Sequence, residues 1–429
     1  MSESTIDLAV IGAGAAGLMA SIQAGRSARV RRQGGFPGGA APLDILVLDG
    51  ARSLGAKILV AGGGRCNVTH FEVEAADFAG SSRHAIAKVL RELPVPATVD
   101  FFRELGVALK REPTGKLFPV TDQARTVLEA LLRAAREAGV KLLYPRKVTS
   151  IRRDGGGFVL AGDWGEMAAR RVILAAGGQA LPKSGSDGSG YGLARALGHT
   201  TTGTIFPSLV PLLVPDDHWL RTVQGIAVPA RIEIRAGSGK RLATFRGDLL
   251  CTHFGLSGPV VRDARRHNLA APQADPQARF VVAFLPDATA ENLTLELANL
   301  GRRSLGRWLA ERLPDRLADA LLVSAGLDPA ANALRLKKEE RLALLKALLE
   351  HEIPIAGDRG FVHAEATAGG IPLDQIRLES MESRLCPGLH LCGEILDVDG
   401  RIGGFNFQWA WASGTVAGRA AATALRGAA

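Results

Sequence analysis

The hydrophobic pattern of the chain begins with a short apolar run, residues 6–11, whose length predicts a buried β-strand. Residues 18–28 are rich in alanine and other small residues and predict a helix. The letters between them read GAGAAG, a G-x-G-x-x-G turn with a strand before it and a helix after it. In this context the motif binds the pyrophosphate of a dinucleotide. The pattern therefore predicts a strand–turn–helix nucleotide site near the N-terminus.

Each glycine of this turn has its own physical reason. Gly12 permits the tight turn, Gly14 leaves room for a pyrophosphate beside the backbone, and Gly17 lets helix and strand pack closely. The N–H groups at the helix start and the positive end of the helix dipole would hold the phosphates. A glycine-rich turn without a ligand is the alternative interpretation.

A second apolar run, residues 44–49, predicts the next strand and ends in an acid, Asp49. Such an acid accepts hydrogen bonds from the adenosine ribose and usually stands about 20 residues after the glycines. Here the separation is longer, because a Gly/Pro-rich loop at residues 31–42 intervenes. We expect Asp49 to bind ribose; the alternative is that it only begins a turn with Gly50.

Glycine-rich segments recur along the chain. Three glycines at 62–64 precede Arg65, Cys66 and Asn67, which predicts a close approach of the backbone to a flat or anionic ligand. A helix is predicted over residues 123–138, strands over 140–143, 147–151 and 172–174, and a closing helix over 407–425. Further glycine pairs stand at 177–178, 369–370 and 403–404. A ligand touched at six or more turns is long, as FAD is.

The middle of the chain has a different pattern. Residues 200–285 contain short alternating segments between prolines and glycines, and residues 288–350 carry leucines at helical spacing. We expect a discontinuous nucleotide-binding domain at 1–199 and 364–429, a β-rich insert at 200–287 and 351–363, and a helical insert at 288–350. The predicted fold class is α/β, with a Rossmann-like domain interrupted by these inserts.

Composition refines this picture. The chain has 429 residues, of which 47% are hydrophobic and 22% charged, as in a globular protein of several domains. Its four cysteines form no CxxC pair and no metal-binding spacing, so we expect no metal site and a reducing cytoplasmic location. No signal peptide or membrane span is apparent. The net charge of +9 favours anionic partners, or reflects only an arginine- and alanine-rich composition.

Several longer motifs carry a family resemblance. They are KILVAGGGRCNVT at 57–69, GKLFPVTDQA at 115–124, LAAGGQALPKSGSDGSGYGLARALGH at 174–199, FPSLVPLL at 206–213, THFGLSGP at 252–259 and SMESRLCPGLHLCGEILDVDGRIGGFNFQWAWASG at 380–414. With them the chain resembles the BaiN/YhiN-type (aminoacetone-oxidase-like) NAD(P)/FAD-dependent flavoproteins over nearly its whole length. The resemblance implies a flavoprotein fold of the two-dinucleotide-binding-domain type with a β-barrel-like insert and a helical insert, and FAD bound without a covalent bond.

The resemblance also implies, position by position, which residues hold FAD. Those residues are Gly12, Gly14, Ala15, Ala16, Gly17, Asp49, Lys57, Gly63, Gly64, Arg65, Cys66, Asn67, Val148, Ala176, Gly177, Gly393, Glu394, Asp397, Gly404, Phe405 and Asn406. The backbone of Val148 would meet the adenine, and the start of the last helix would face the pyrimidine edge of the flavin. A helix N-terminus there would favour the negative charge of reduced flavin.

Three residues are candidate proton donors, Cys66, His253 and Glu394. Cys66 follows Arg65, whose charge is expected to lower the pKa of the thiol, and His253 stands before a Gly-rich segment. Both have a purely structural alternative, as a small buried cysteine and a hydrogen-bonded histidine. The chain has no second G-x-G-x-x-G after a strand, so we expect NAD(P)H to bind transiently at the flavin face.

These features predict an FAD-dependent, NAD(P)H-linked reductase of a carbon–carbon double bond in a small molecule. The family that the chain resembles also includes enzymes that form dihydrouridine in ribosomal RNA, so reduction of a uracil C5–C6 bond is an alternative function. A flavin-bearing redox sensor with little turnover is a further alternative.

Three basic clusters lie outside the FAD motifs. They could bind an RNA backbone, or they could be solvated helix faces: Arg262, Arg265, Arg266 and His267; Arg302, Arg303 and Arg307; Arg335, Lys337, Lys338 and Arg341.

Overall fold

The computed structural model describes residues 5–30, 42–264 and 275–427. Residues 31–41 of the Gly/Pro-rich loop, and Arg265, Arg266 and His267 of the first basic cluster, lie outside the described residues. The chain divides into two compact units, Met1–Pro207 with Ala364–Ala429, and Ser208–His363. The finer division into three domains stays a prediction.

The elements of both units are numbered here in chain order. The strands are β1 (Ile6–Ile11), β2 (Ile45–Leu48), β3 (Thr69–His70), β4 (Phe78–Gly80), β5 (Leu109–Arg111), β6 (Lys116–Pro119), β7 (Lys141–Leu143), β8 (Ser150–Asp154), β9 (Gly157–Gly162), β10 (Gly165–Leu174), β11 (Phe206–Ser208), β12 (Leu212–Leu213), β13 (Ala227–Arg235), β14 (Arg241–Thr252), β15 (Gly255–Ser257), β16 (Arg279–Ala283), β17 (His351–Glu352), β18 (Gly357–Asp358), β19 (Ala366–Ala368), β20 (Ile376–Arg377), β21 (Glu382–Ser383), β22 (Leu389–Leu391) and β23 (Val398–Gly400). The α-helices are α1 (Ala15–Val30), α2 (Ala56–Gly64), α3 (Arg83–Leu90), α4 (Val95–Glu104), α5 (Ala124–Glu137), α6 (Ser189–Ala196), α7 (Ala290–Asn299), α8 (Leu305–Leu309), α9 (Asp315–Ser324), α10 (Lys338–Leu349) and α11 (Phe405–Gly427).

The main sheet of the first unit has the strand order β20-β21-β22-β10-β1-β2-β7. The strands from β22 to β7 pair in parallel, and β8, β9 and β10 form an antiparallel meander on the same sheet. Leu8, Ala9 and Val10 of β1 are fully buried, as expected for a central parallel strand covered on both faces. This topology confirms the predicted Rossmann-like α/β class.

Two helices pack against each other beside this sheet, α1 and α11. A Cβ added at Gly414 would lie 2.5 Å from the carbonyl oxygen of Ala16, and one at Gly418 would lie 2.1 Å from that of Ala20. The two backbones therefore approach to contact, which only glycine permits at these positions. The helices predicted at 18–28 and 407–425 are both confirmed, and each extends further at both ends.

Two segments differ from the predicted elements. Residues 56–64, for which no element is predicted from the sequence, form helix α2, which is interrupted by non-helical Ala61, Gly62 and Gly63. The strand predicted at 147–151 begins only at Ser150. The preceding segment crosses beside the end of β2, where the N–H of Arg146 donates to the carbonyl of Asp49 at 2.6 Å.

The second unit contains an antiparallel sheet with the order β17-β16-β13-β14-β15-β12-β18. The strands β12 to β16 fall inside the segment predicted to be β-rich, and α7 to α10 fall inside the segment predicted to be helical. Leucines at helical spacing supply its core, and Leu321, Leu344 and Leu348 are fully buried. The periodicity in the sequence therefore reports the two kinds of secondary structure correctly.

A ring cluster in this unit surrounds His351. Its imidazole lies 5.4 Å from the ring of Trp219 and 5.9 Å from that of Phe284, and Trp219 also stacks on His218. Burial lowers the pKa of His351 to about 4; His218 and Lys346 add to this effect, and Glu352 opposes it. The folded unit therefore holds His351 neutral.

We expect the free energy of unfolding to fall as the pH is lowered from 6.5 towards 4. Between pH 6.5 and 4, His351 is protonated in the unfolded chain but stays neutral in the folded chain, so protonation favours unfolding. The contribution is at most roughly 3 kcal/mol for this pKa difference. In urea unfolding between pH 4 and 7, His351→Phe should keep the ring packing and show a weaker pH dependence than the wild type. His363→Phe, at an exposed histidine of the same unit, is the matched control, and an equal pH dependence in all three proteins would contradict the prediction.

Candidate functional site

The glycine loop between β1 and α1 has the geometry of a phosphate cradle. A Cβ at Gly12, where φ is 101°, would lie 2.5 Å from the carbonyl oxygen of Ala175, and one at Gly17 would lie 1.9 Å from that of Gly12. A Cβ at Gly14 would meet nothing within 4 Å. Gly12 and Gly17 are therefore required by packing, whereas Gly14 borders open space. Ala15 and Ala16 begin α1, so their N–H groups belong to its first turn.

Asp49 lies directly after β2, beside this loop. One carboxylate oxygen accepts a hydrogen bond from the N–H of Ala13 at 2.6 Å, and the other accepts from the N–H of Ala51 at 2.8 Å. A carboxylate has about four lone-pair sites, so these two bonds leave capacity for ribose hydroxyls. The sequence did not predict that Asp49 also ties the glycine loop to the end of β2.

The 61–67 segment also presents backbone to open space. Gly62, Gly63 and Gly64 are exposed and have left-handed φ values of 57°, 69° and 86°, and a Cβ at Gly63 would meet nothing within 4 Å. Cys66 has a φ of 61°, which is unusual for a residue with a side chain. The side-chain oxygen of Asn67 is buried without a hydrogen-bond partner.

Arg65 does not act on Cys66 as the sequence predicts. Its guanidinium lies 2.6 Å from the carboxylate of Glu112 and 3.6 Å from that of Asp122, and it stacks over the ring of Phe118 at 4.0 Å. Burial raises the pKa of the Cys66 thiol to about 12. The expected lowering is wrong, because two carboxylates compensate the charge of Arg65 while the thiol is fully desolvated.

Three distant motifs meet at Glu394. One of its carboxylate oxygens binds Lys57, and the other accepts the N–H of Thr367 at 2.8 Å. The hydroxyl oxygen of Thr367 accepts the N–H groups of Gln179 and Ala180 at 2.8 and 3.0 Å. The predicted site residues Lys57 and Glu394 are therefore partners of each other, next to the segment that follows β10.

Other residues of the 393–406 motif also lie against this region. A Cβ at Gly393 would lie 2.7 Å from the Cβ of Ala16, and one at Gly404 would lie 2.6 Å from the backbone of Thr69. The carboxylate of Asp397 accepts the hydroxyl of Ser81 at 3.4 Å. The last motif is thus brought to the start of α1 and to the end of the GGGRCN motif.

Phe405 and Asn406 form the first turn of α11, which begins two residues earlier than the sequence predicts. The ring of Phe405 is buried and stacks on His70 at 4.9 Å. Both amide atoms of the Asn406 side chain bind the backbone of Gly400 at 2.9 Å. This side chain caps the turn before the helix. The contact with the cofactor that is predicted for Asn406 would therefore have to be made by its backbone.

Among the described residues, the buried hydroxyls without a hydrogen-bond partner include those of Ser186 and Tyr191, which were not selected from the sequence. A Cβ at Gly177, next to Ala176, would lie 2.8 Å from the hydroxyl oxygen of Ser186. Burial raises the pKa of Tyr191, and the nearby carboxylates of Glu394 and Asp397 raise it further. The SGSDGSGY motif in the sequence contains both residues, but its repeated glycines gave no reason to select the side chains of Ser186 and Tyr191 in particular.

The cofactor and catalytic roles of all the predicted site residues stay predictions, including those of Val148 and His253. Val148 is buried, and the adjacent Lys147 pairs with Asp187 at 2.6 Å; its contact with adenine stays a prediction. His253 belongs to the second unit, is exposed, and has its ring 4.9 Å from that of Phe254. Its role as a proton donor also stays a prediction.

The residues of the first unit fit a bound dinucleotide. The backbone at Gly14 and Gly63 borders open space, so a ligand can approach it, and the oxygen of Asn67 is a buried acceptor without a partner among the described residues. Among the described residues, no group of three or more metal-binding side chains occurs. No helix within the described ranges is both long enough and apolar enough to cross a membrane.

Comparison with curated proteins finds relatives that align over nearly the whole chain, including the following two. The chain is 34% identical to the 3-dehydro-bile acid delta(4,6)-reductase of Clostridium scindens over 419 residues, covering 97% of this chain and 98% of that protein. It is 31% identical to the ribosomal RNA dihydrouridine synthase of Escherichia coli over 410 residues, covering 95% and 96%.

Solved structures with the same fold include the open conformation of a flavocytochrome c3 fumarate reductase and the 3-ketosteroid delta1-dehydrogenase of Sterolibacterium denitrificans. The first has 16% identity and a TM-score of 0.50, covering 99% of this chain and 79% of that chain. The second has 15% identity and a TM-score of 0.52, covering 98% and 100%. At these identities the likeness concerns the fold alone.

The family resemblance inferred from the motifs is confirmed by a family model, the HI0933-like protein Rossmann domain, which matches residues 6–420. Together with relatives above 30% identity over nearly their full length, this match shows that the chain belongs to the HI0933-like protein family.

Proposed function

We propose that the protein is an FAD-dependent oxidoreductase that reduces a carbon–carbon double bond in a small molecule, with NAD(P)H as the transient reductant. The observation that carries the proposal is the glycine loop between β1 and α1, where Gly14 borders open space and the N–H of Ala13 donates to the carboxylate of Asp49. The near full-length similarity to a bile acid reductase supports the type of reaction and an alicyclic, unsaturated substrate.

The residues of the chain have distinct tasks in this proposal. The glycine loop and Asp49 would hold the pyrophosphate and the ribose, and the backbone at 62–67 would lie along the flavin. The paired Lys57 and Glu394 would fix the segments around the ribityl chain. Bound FAD would supply the hydride for reduction of the double bond. The first turn of α11 would place N–H groups and a partial positive charge beside the pyrimidine edge.

Reduction of a double bond also requires a proton, and Cys66 is the proposed donor. The thiol is protonated at neutral pH, which is the state that a donor needs, and burial, which raises its pKa to about 12, makes it a weaker acid than an exposed thiol. His253 is the alternative donor. Either group would deliver its proton to the carbon next to the one that receives the hydride.

The direct test uses the purified holoprotein under anaerobic conditions. We expect a yellow protein whose acid-released flavin is FAD, whose absorbance bleaches with NADH or NADPH, and which is reoxidised by a conjugated 3-oxo steroid or bile acid. The product should gain two mass units. Bleaching without reoxidation by any such substrate would favour the redox-sensor alternative, and the absence of FAD would refute the proposal.

A second candidate function, reduction of uracil in ribosomal RNA, is favoured by two observations. One is the similarity to the dihydrouridine synthase of Escherichia coli. The other is a group of exposed basic side chains in the second unit for which the described residues provide no carboxylate within ion-pair distance. They are Arg302, Arg307, Arg335, Lys337, Lys338 and Arg341. Arg303 is different, because it pairs with Glu311.

If this surface binds RNA, affinity for ribosomal RNA fragments should fall steeply with salt, by about 0.7–0.9 in log K per tenfold salt for each phosphate contact. Alanine at Arg302, Arg303 and Arg307 should then reduce the slope by about two, since Arg303 already has a carboxylate partner. The measurement is filter binding between low and moderate salt. A slope that the triple variant leaves unchanged, or no binding at low salt, would remove the RNA alternative.

We also propose a cytoplasmic location. All four cysteines are buried and free, which suits a reducing compartment.

A further inference from the structure

A cleft of about 540 Å³ lies in the first unit, away from the glycine loop. Thr5, which lines it, directly precedes β1, whereas the glycine loop directly follows β1. The two places are therefore at opposite ends of a strand that spans about 20 Å. Nothing in the proposed function uses this cleft.

The walls of the cleft come from the meander, the segment before β22 and the end of α11. The lining residues are Thr5, Arg153, Asp154, Gly156, Gly157, Phe158, Val159, Ala168, Ala169, Arg170, Arg171, Pro387, Gly388, Ala424 and Leu425. Apolar residues and three arginines are thus combined in the lining. The volume is within the roughly 300–1,000 Å³ range of sites for small ligands.

The arginines leave an excess of positive charge. Arg170 is paired with Asp7 at 2.9 Å, and Arg171 is paired with Glu382 at 3.0 Å. Arg153 instead donates to the carbonyl of Pro387 at 2.7 Å and lies 4.9 Å from the ring centre of Phe158. Within the described ranges, no carboxylate lies at ion-pair distance from Arg153, so this exposed guanidinium keeps its charge at the cleft.

The other charges at the cleft agree with this excess. Asp154 is the one carboxylate among the lining residues, and it lies 3.4 Å from Arg152, which is also paired with Glu166 at 3.6 Å. Ala424 and Leu425 stand in the last turn of α11, where the helix dipole is negative. An anionic group would therefore sit on the Arg153 side, and an apolar group would sit against Leu425.

We propose that this cleft binds an amphipathic organic anion, a molecule with one phosphate or carboxylate head and an apolar body. Arg153 would bind the head, helped by the guanidinium of Arg170. Ala168, Ala424 and Leu425 would contact the body. Charge-assisted hydrogen bonds from arginine are the strongest contacts available at such a surface.

The test is calorimetric titration of the full-length holoprotein with octyl phosphate, compared with inorganic phosphate as the head alone and octanol as the body alone. Octyl phosphate should bind saturably and more tightly than either part. Arg153→Gln should weaken it at least about tenfold, which corresponds to 1.4 kcal/mol. Arg136→Gln removes the same charge at an exposed position outside the cleft and should change the affinity less than about twofold.

A second variant tests the cleft without removing an existing contact. A Cβ at Gly156 would meet nothing within 4 Å, so Gly156→Glu should fold normally and place a carboxylate beside the proposed head group. It should abolish binding, whereas Gly192→Glu, at an equally open glycine outside the cleft, should not. No saturable binding by the wild type would overturn the proposal. Equal effects of the cleft variants and their controls would also overturn it, as would affinity for inorganic phosphate equal to that for octyl phosphate.

Discussion

Gly14→Val is expected to yield a folded protein that contains no dinucleotide. The backbone at Gly14 has no left-handed φ, and a Cβ there would meet nothing within 4 Å, so the apoprotein should accept the side chain. The same side chain would occupy the space through which a pyrophosphate approaches the loop. We expect the FAD content after purification to fall below about a tenth of the wild-type value, because pyrophosphate binding depends on the bare backbone.

Two matched variants separate this effect from a general loss of structure. Gly192→Val introduces the same side chain at another glycine whose Cβ would meet nothing, and it should keep its flavin. Gly17→Ala should instead reduce thermal stability, since its Cβ would lie 1.9 Å from the carbonyl oxygen of Gly12. The measurements are the flavin-to-protein absorbance ratio and the melting temperature. A folded Gly14→Val protein with full flavin content would contradict the assignment of this loop.

The parts of the fold that could be predicted from the sequence depend on neighbours in the chain. The strand, turn and helix at residues 6–28 follow from an apolar run, three spaced glycines and an alanine-rich segment, and the structure reproduces them. The change from alternating to helical periodicity after residue 285 is equally local, and the second unit shows both kinds of element. Local periodicity reports secondary structure because burial acts on one face of each element.

The parts that could not be predicted depend on partners far apart in sequence. Lys57 and Glu394 form an ion pair although 337 positions separate them, and sequence reasoning assigned both to the cofactor independently. Arg65 was expected to act on its neighbour Cys66, but Glu112 and Asp122 compensate its charge from another part of the unit. The sign of a pKa shift depends on burial and on such partners, and neither is visible in a motif.

Helix α2 shows the same limitation within a single motif. The sequence predicts a close approach of a ligand at glycines 62–64, whose backbone is left-handed, and the apolar residues before them form a helix that stops at Ala61. The glycine run therefore marks the end of a helix, and its approach to a ligand stays a prediction. Spacing alone could not separate these two functions, because left-handed glycine serves both.

Cys66→Ser is expected to lower the rate of substrate reduction about 10²-fold, the scale of a lost general acid, while the FAD content stays unchanged. The thiol is fully buried and protonated, and a serine hydroxyl is a much weaker acid in the same place. Reduction of the flavin by NAD(P)H requires no proton from Cys66. Stopped-flow measurement should therefore show a normal rate for that half-reaction and a slow rate only for transfer to the substrate.

Cys251→Ser is the matched control for this experiment. Cys251 is also fully buried, burial also raises its pKa to about 12, and it lies in the second unit rather than in the glycine-rich site. Its substitution removes the same sulfur atom from a core and should leave both half-reactions close to the wild type. Normal transfer to the substrate by Cys66→Ser, with normal flavin content, would exclude the thiol as the donor. A defect of that half-reaction in His253→Gln would then identify the imidazole as the source of the proton.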